Sequence, residues 1–417
     1  MRDHEPAPDL QGRRLTTKEA AELLGVKPET VYAYVSRGQL GSRRVPGGRA
    51  STFDAKEVEA LARRNRREGA GSPGSGGELS VRTRITLIDT DRYYFRGVDA
   101  TELAAHHSYE DIAEWLWTER MRPGTTFTAP DTSVAVARRA VDALPEHTSP
   151  TDRLRVAAIA AATADPLRFD LSEDAVLGTA RILIPTLVAA LPPVRIGHRD
   201  EGPLAEHLWA RLTARRPDEA SLRTLDTALG LLVDHDLAAS TLAVRVAASA
   251  RAHAYAAVSA GLGVLEGPLH GAASGLAHRL LLDVLDQGDA GPVIAEELRA
   301  GRRIPGLGHR LYPGEDPRAR ALFALLEEIP HAEPALAAAR DVVATTARHA
   351  PLHANVDLAL AVLTASSGMP ATAGETIFAV ARTAGWIAHT LEEYGERPLR
   401  MRPSGLYVGT KPPQPLP

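Results

Sequence analysis

The chain has 417 residues, enough for two or three domains with a substantial core. It contains no cysteine, which excludes disulfides, thiolate metal sites and cysteine nucleophiles. No apolar run approaches the ~18–20 residues of a membrane-spanning helix, and the first residues lack the features of a signal peptide. These observations predict a cytoplasmic protein.

The charge is distributed unevenly along the chain. The net charge is −4, but residues 1–69 carry 14 Lys/Arg against 10 Asp/Glu, so the remainder carries −8. Within residues 37–67 the basic excess reaches +6, from 9 basic and 3 acidic side chains. This asymmetry indicates a small basic module joined to a larger acidic body.

The basic module, residues 1–67, contains signals for two short helices followed by a hairpin. Thr16 and Glu19 form a capping box, and Pro28 suits the first turn of the second helix. The segment GSRRVPGGRASTF has a Pro-Gly-Gly tip with arginines on both arms, which predicts a β-hairpin. Asp54 is placed to cap a closing helix.

This layout, over about residues 13–67, resembles a winged helix-turn-helix of the excisionase or MerR type. The resemblance implies DNA binding, with the second helix in a major groove and the wing arginines at phosphates. The candidate contacts are Lys27, Thr30, Tyr34, Arg37, Arg43, Arg44 and Arg49. The alternative is a module for protein contact whose arginines are solvated.

After the module, the composition changes twice. Residues 68–78, EGAGSPGSGGE, have no apolar side chain larger than alanine and predict a flexible linker. The segment VRTRITLIDTDRYYFRGVDA alternates apolar and polar residues and predicts a short hairpin. From Thr101 onward, Ala- and Leu-rich segments predict helices almost throughout. The expected fold class is therefore mainly α, with a short hairpin at the start of the body.

Three loops interrupt the helical pattern and carry ionisable side chains. The loop at 265–275 follows a long helix predicted from about Ser240 to Gly267. It delivers His270 to the start of the next helix, whose dipole favours a neutral imidazole. The loop at 305–319, PGLGHRLYPGEDPRA, carries His309 and Arg318.

The third loop leads into LHANVDLALAVL, residues 352–363, where Asp357 stands at the entry of an apolar helix and is expected to be partly desolvated. A carboxylate base, two imidazoles and guanidinium groups suit removal of a proton next to a carbonyl, followed by attack of the enol on a second carbonyl. Several arginines imply a di- or tricarboxylate substrate. No spacing predicts a metal site, and no phosphate-binding glycine motif occurs.

The blocks GPLHGAAS, PGLGHRLYPGEDPRA and NVD, in this order, resemble the signature blocks of citrate synthases and 2-methylcitrate synthases. VDHDLAAST, IFAVARTAGWIAH and RPSGLYVG agree with further blocks, so the resemblance covers about residues 79–410. It implies a two-domain α-helical body at 79–417. The large domain would comprise 79–266 and 372–417, and the small domain 267–371.

The resemblance also implies residue roles. Asp357 would remove a proton from the methyl group of an acyl-CoA co-substrate, His270 would stabilise the enol, and His309 would polarise the ketone of oxaloacetate. The implied substrate contacts are His235, Arg318, Phe378, Arg382 and Arg402. Gly306 and Gly308 would let the backbone approach the CoA adenine.

Arg402 resembles an arginine donated across a dimer interface, which implies a homodimer, although Arg397 and Arg400 lie in the same segment. Three positions depart from the family pattern: Ala238 replaces an asparagine, Pro313 a basic residue and Leu358 a phenylalanine. For Arg318, a surface arginine at a helix start is the alternative, and for His235 a structural histidine. His389 is interpreted as a structural polar residue.

Two functions remain open from the sequence. The first is a synthase that condenses acetyl-CoA, or propionyl-CoA, with oxaloacetate and releases free CoA, an acyl transfer in which the acyl group becomes an alkyl group. The second is a DNA-binding regulator whose body senses oxaloacetate or acyl-CoA. The presence of Asp357 favours catalysis, because a sensor needs the arginines but not the base. No permanently bound cofactor and no metal are expected.

Overall fold

The computed structural model describes residues 14–24, 26, 28–36, 40–44, 51–58, 61, 81–197, 202–267, 270–271, 273–404, 406–410 and 413–414. The chain divides into two compact units, residues 1–81 with 403–417, and residues 82–402. Lys27, Arg37, Arg49, the hairpin tip and the linker at 68–78 lie outside the described residues. Within the described part, no helix is long and apolar enough to span a membrane.

The described part of the first unit contains α1 (Thr17–Leu24), α2 (Pro28–Ser36), helical residues at 55–58 and 61, and a three-stranded antiparallel sheet. The strands are β1 (Arg14–Thr16), β2 (Ser42–Arg44) and β3 (Ser51–Asp54), in the order β1-β3-β2. The two predicted caps form, because the Glu19 carboxylate accepts from the Thr16 backbone N–H at 2.7 Å and Asp54 accepts from the Lys56 N–H at 2.9 Å. The small core contains Leu15, Ala20, Val31 and Phe53.

The second unit begins with the predicted hairpin. Strands β4 (Thr86–Asp89) and β5 (Arg92–Phe95) pair antiparallel, and a third short strand, β6 (Val98–Asp99), pairs with β5. Tyr93 and Phe95 point into the core, where their rings meet edge to face at 5.4 Å. The Tyr93 hydroxyl donates to the Leu231 carbonyl at 3.0 Å and so joins the hairpin to the helices.

The rest of the unit is helical, as the sequence predicted. Polar caps begin several helices: Ser108, Ser149 and Asp218 each accept from a backbone N–H in the first turn. The helices are α3 (Ala100–His106), α4 (Tyr109–Thr118), α5 (Asp131–Asp142), α6 (Pro150–Ala164), α7 (Glu173–Ala190), α8 (Leu204–Leu212), α9 (Glu219–Leu232), α10 (Ala239–Ser249), α11 (Ala254–Leu265), α12 (Ala273–Gln287), α13 (Ala290–Arg299), α14 (Pro317–Leu326), α15 (Glu333–Ala347), α16 (Val356–Ser366) and α17 (Ala373–Tyr394).

Helix α17 has 22 residues and is buried on nearly all sides, which is the pattern of a central helix. Other helices bond to its backbone, since Trp117 Nε1 donates to the Ala384 carbonyl at 2.8 Å and the Tyr109 hydroxyl to the Val380 carbonyl at 3.0 Å. The helix therefore gives the side chains that it carries a rigid support.

The long helix predicted from Ser240 to Gly267 is wrong. The structure has two helices, α10 and α11, separated at residues 250–253. Arg251 has a φ of 61°, which a continuous helix does not allow, and His253 starts α11 by accepting from the Ala256 N–H through Nδ1 at 3.1 Å. The apolar pattern continues across the break, so periodicity alone did not reveal it.

Candidate active site

Seven of the predicted side chains line one cavity of about 410 Å³. They come from the turn before α10, the turn before α12, the loop before α14 and helices α14, α16 and α17. The structure thus gathers groups that are up to about 150 positions apart in the chain. They are His235, His270, His309, Arg318, Asp357, Phe378 and Arg382.

Asp357 lies in the first turn of α16. The side chain of Asn355 caps this helix and accepts from the Asp357 N–H at 3.0 Å. Burial raises the pKa of Asp357 to about 6, with Asp316 adding to the increase and Arg318 opposing it. A carboxylate with this pKa is ionised at neutral pH and is a stronger base than an ordinary aspartate.

The protonation of His309 follows from its hydrogen bonds. Its Nδ1 accepts from the backbone N–H of Leu311 at 3.1 Å, so the proton of the neutral ring lies on Nε2. Burial and the Arg318 charge lower the pKa of His309 to about 4. Nε2 is 3.4 Å from Nη2 of Arg318. Both groups are donors, so a carbonyl or carboxylate oxygen beside them can accept from both.

His270 is also neutral, as predicted, but the main cause differs. Burial lowers its pKa, followed by the charge of Arg382, and α12 begins only three residues later, at Ala273. The Nε2 atom lies 2.7 Å from the hydroxyl oxygen of Ser240, and the Phe378 ring stands edge-on at 6.0 Å. The surrounding side chains therefore hold the ring in a fixed orientation.

His235 forms an aromatic cluster with His309 and Tyr312. Its Nε2 lies 2.8 Å from the Tyr312 hydroxyl, and its ring centre is 5.2 Å from that of His309. Burial lowers its pKa well below the usual value, with Arg318 and Arg382 adding to this effect. All three predicted histidines are thus uncharged hydrogen-bonding groups at neutral pH.

Arg318 is buried and paired, not a surface residue. Its Nε and Nη2 donate to the two carboxylate oxygens of Asp316 at 3.0 and 2.8 Å. Asp316 also accepts from the Val356 N–H at 3.1 Å, which joins the loop to the start of α16. This bidentate pair fixes Arg318 beside Asp357 and His309.

Arg382 is 1% exposed and only partly paired. Its Nε donates to the Leu232 carbonyl at 2.9 Å, but Nη1 and Nη2 have no hydrogen-bond partner among the described residues. Its guanidinium carbon lies 4.4 Å from the centre of the Phe378 ring. Burial lowers its pKa to about 10, and Asp234 opposes that change. Unsatisfied buried donors are costly, so an anion in the cavity would relieve them.

The other predicted positions lie elsewhere. Arg402 is exposed and does not line the cavity of its own chain. Gly306 has a φ of 81°, and a Cβ there would lie 2.9 Å from Cβ of Leu358, so packing requires this glycine. Leu358 faces Gly306 and not the cavity. Gly308 lines a second cavity of about 740 Å³, which His309 also borders.

Ala238 does line the central cavity. It stands at the start of α10 without providing a side-chain cap. Sequence reasoning missed three polar partners, Ser240, Tyr312 and Asp316. Tyr312 and Asp316 had a local signal, because they lie in the same loop as His309 and Arg318, whereas Ser240 had none.

In the first unit, Arg43 is exposed on β2 and Thr30 lies half-buried on α2. Tyr34 packs against the small core, whereas Tyr32, which was not predicted, is 49% exposed on the same helix. Arg44 ends β2, and its side chain lies outside the described part of the structure.

Comparisons with known proteins agree with this arrangement. The family model "Citrate synthase, C-terminal domain" matches residues 74–404, and the model "Helix-turn-helix domain" matches residues 14–66. The chain is 30% identical to the citrate synthase of Haloferax volcanii over 367 residues, covering 81% of this chain and 96% of that relative. It is 26% identical to the 2-methylcitrate synthase of Shewanella oneidensis, and the match covers 84% of this chain and 97% of that relative.

Solved structures show the same fold. Citrate synthase from Thermotoga maritima gives a TM-score of 0.64 at 25% identity, over 82% of this chain and 96% of that one. A second structure is the citrate synthase of Thermoplasma acidophilum in a ternary complex with carboxymethyl coenzyme A and oxaloacetate. Its TM-score is 0.67 at 22% identity, over 82% of this chain and 97% of that one.

The fold and the cavity define a helical enzyme body preceded by a helix-turn-helix unit. The chain belongs to the citrate synthase family, and it is an enzyme of the citrate synthase type. The predicted family and the predicted mainly α fold are therefore confirmed.

Proposed function

We propose that the enzyme condenses a short acyl-CoA with oxaloacetate, giving citrate from acetyl-CoA or 2-methylcitrate from propionyl-CoA, together with free CoA. One observation carries this proposal. A carboxylate with a raised pKa, Asp357, shares a cavity with two neutral imidazoles and with Arg382, whose terminal nitrogens have no hydrogen-bond partner among the described residues. This combination suits removal of a carbon-bound proton beside a keto dianion.

In the proposed reaction Asp357 takes a proton from the carbon next to the thioester carbonyl, and His270 donates a hydrogen bond to the developing enol oxygen. The enol carbon then attacks the ketone carbon of oxaloacetate, forming a C–C bond. The ketone C=O π bond breaks as the C–C bond forms, the Nε2–H of His309 would donate a hydrogen bond to the resulting alkoxide, and the alkoxide takes up one proton to become the hydroxyl group. Water finally cleaves the thioester, releasing CoA thiol and the tricarboxylate.

The carboxylates of oxaloacetate are assigned to Arg318, Arg382 and His235. Nη1 and Nη2 of Arg382 have no hydrogen-bond partner in the described part of the chain, and Arg318 is held rigidly by Asp316, so the pair provides fixed positive charge. By family resemblance, Arg402 would complete the site of a partner subunit, and Gly306 and Gly308 would shape the CoA-binding backbone. A homodimer in the cytoplasm is part of this proposal.

Thiol release tests the proposal. The purified protein is given oxaloacetate and a panel of short acyl-CoAs, and free thiol is measured with a chromogenic disulfide. We expect release that requires both substrates, and the relative kcat/KM values will show whether acetyl- or propionyl-CoA is preferred. Absence of release with every acyl-CoA, in a protein that still binds oxaloacetate, would overturn the enzyme assignment and favour the sensor.

The helix-turn-helix unit supports a second proposal, that residues 1–67 bind DNA. The observations that favour it are helices α1 and α2, the three-stranded sheet, the exposed Arg43 on β2 and the match to the helix-turn-helix family model. We expect retention on duplex DNA that weakens as salt is raised and disappears when residues 1–67 are deleted. Retention that survives this deletion would contradict the proposal.

A further inference from the structure

Three consecutive residues, Leu232 at the end of α9 and Val233 and Asp234 in the turn after it, contact three positions of helix α17. Arg382 donates through Nε to the Leu232 carbonyl at 2.9 Å. The next contact is at Gly385, where an added Cβ would lie 2.1 Å from the Val233 carbonyl oxygen, so the turn touches the helix backbone directly. Since positions three or four apart lie on one face of a helix, Arg382, Gly385 and position 389 form a continuous docking surface.

The third contact is between His389 and Asp234, both fully buried. His389 Nδ1 lies 2.9 Å from Nη1 of Arg245, which can only donate. The His389 proton is therefore on Nε2, which donates to Asp234 at 3.2 Å. Asp234 also accepts from the Thr86 hydroxyl, so both of its carboxylate oxygens are occupied.

This contact is part of a larger buried network. Arg245 donates through Nε to Glu393 at 3.1 Å, and Glu393 accepts from Arg400 at 2.8 and 2.6 Å. Neither Asp234 nor His389 lines the substrate cavity. Asp234 is nevertheless the neighbour of His235 in the chain, and its charge opposes the fall in the pKa of Arg382.

We propose that Asp234 and His389 are positioning residues for the keto acid. They hold the turn at residues 232–236 on α17, and so they set the places of His235 and of the free nitrogens of Arg382. Neither residue contacts the reacting atoms. The inference rests on the proposed function, because it assumes that the cavity binds a keto dicarboxylate.

The test separates binding from chemistry. For His389→Ala we expect the KM for oxaloacetate to rise at least about tenfold, while kcat at saturation changes less than about threefold, because Asp357 and His270 lie outside the network. His389→Gln keeps an N–H donor near the position of Nε2 and should recover a KM within about threefold of wild type. Thr86→Val, which removes the other bond to Asp234, should also raise KM.

Arg181→Met is the matched control. It breaks the pair between the partly exposed Arg181 and the buried Glu114, made at 2.9 and 2.8 Å, and should lower stability without changing KM. If His389→Ala does not fold, Thr86→Val gives the same comparison. An unchanged KM in His389→Ala, or in Thr86→Val where His389→Ala does not fold, or an equal rise in the control, would overturn the positioning role.

Direct calorimetric titration of each variant with oxaloacetate accompanies the kinetics. If wild type binds oxaloacetate but His389→Ala and Thr86→Val bind it equally well, only the positioning role fails. If wild type binds no oxaloacetate, the proposed function fails, and the inference that rests on it fails too.

Discussion

Arg382→Met should stabilise the protein without ligand. Burial lowers the pKa of Arg382 from 12.5 to about 10, and at ~1.4 kcal/mol per pKa unit this corresponds to a cost of about 3 kcal/mol for keeping the guanidinium charged. The substitution also removes the hydrogen bond from Nε to the Leu232 carbonyl, and this loss lowers the stability by about 1 kcal/mol. The expected net gain in the free energy of unfolding is therefore about 2 kcal/mol.

The same substitution should remove the response to ligand. Oxaloacetate at about 100 times its dissociation constant should add about 2.7 kcal/mol to wild-type stability. It should add much less to the variant, which lacks Nη1 and Nη2, the two nitrogens with no hydrogen-bond partner among the residues that the structure describes. Urea unfolding followed by tryptophan fluorescence, with and without oxaloacetate, measures both effects.

Arg181→Met makes the same chemical change at a paired arginine. Arg181 is partly exposed, but its removal leaves the carboxylate of Glu114, with 3% side-chain exposure, without this partner. We therefore expect the free energy of unfolding to fall by roughly 1–3 kcal/mol and the response to ligand to be unaltered. A rise in the free energy of unfolding for Arg382→Met and a fall for Arg181→Met, both without ligand, would support a binding role for Arg382. Destabilisation by Arg382→Met without ligand, or a full ligand response in that variant, would refute the reasoning.

Three further outcomes follow from the carboxyl groups. Asp357→Ala should abolish turnover while calorimetry shows oxaloacetate affinity within about threefold of wild type; wild-type turnover would contradict its role as base. Because the pKa of Asp357 in the unliganded enzyme is about 6, kcat/KM should fall about tenfold per pH unit below pH 6, and a flat kcat/KM profile from pH 5 to 8 would contradict this. Burial raises the pKa of Asp226 to about 6, so its stabilising protonated form is lost as pH rises through that value. Asp226→Asn should therefore raise the free energy of unfolding by about 3 kcal/mol at pH 8 and leave it unchanged at pH 3. Urea unfolding at the two pH values measures both effects.

Much of the fold was predictable because its signals are local. The capping box at Thr16 and Glu19, the hairpin before Thr101 and the helix entry at Asp357 each depend on a few neighbouring residues. The break between α10 and α11 was missed because Arg251 is held in place by carbonyls of Glu393 and Glu396, more than a hundred positions away.

The candidate site shows the same division. His270, His309 and Asp357 stood in motif-like loops, so their position in one cavity could be anticipated. The pairing of Asp234 with His389 spans 155 positions, and nothing near His389 in the chain distinguishes it from an ordinary buried histidine. Contacts of this kind arise from the packing of α17 against the turn at 232–236, and only the structure supplies them.

The electrostatics of the cavity predict that ligand binding takes up protons. Burial and nearby guanidinium charges together lower the pKa values of His235, His270 and His309. A bound dianion would offset the guanidinium charges, so these pKa values and that of Asp357 should all rise. Calorimetric titration with oxaloacetate at pH 6, in buffers of different ionisation enthalpy, should show net proton uptake. Proton release on binding would show that the substrate carboxylates do not lie beside these guanidinium groups.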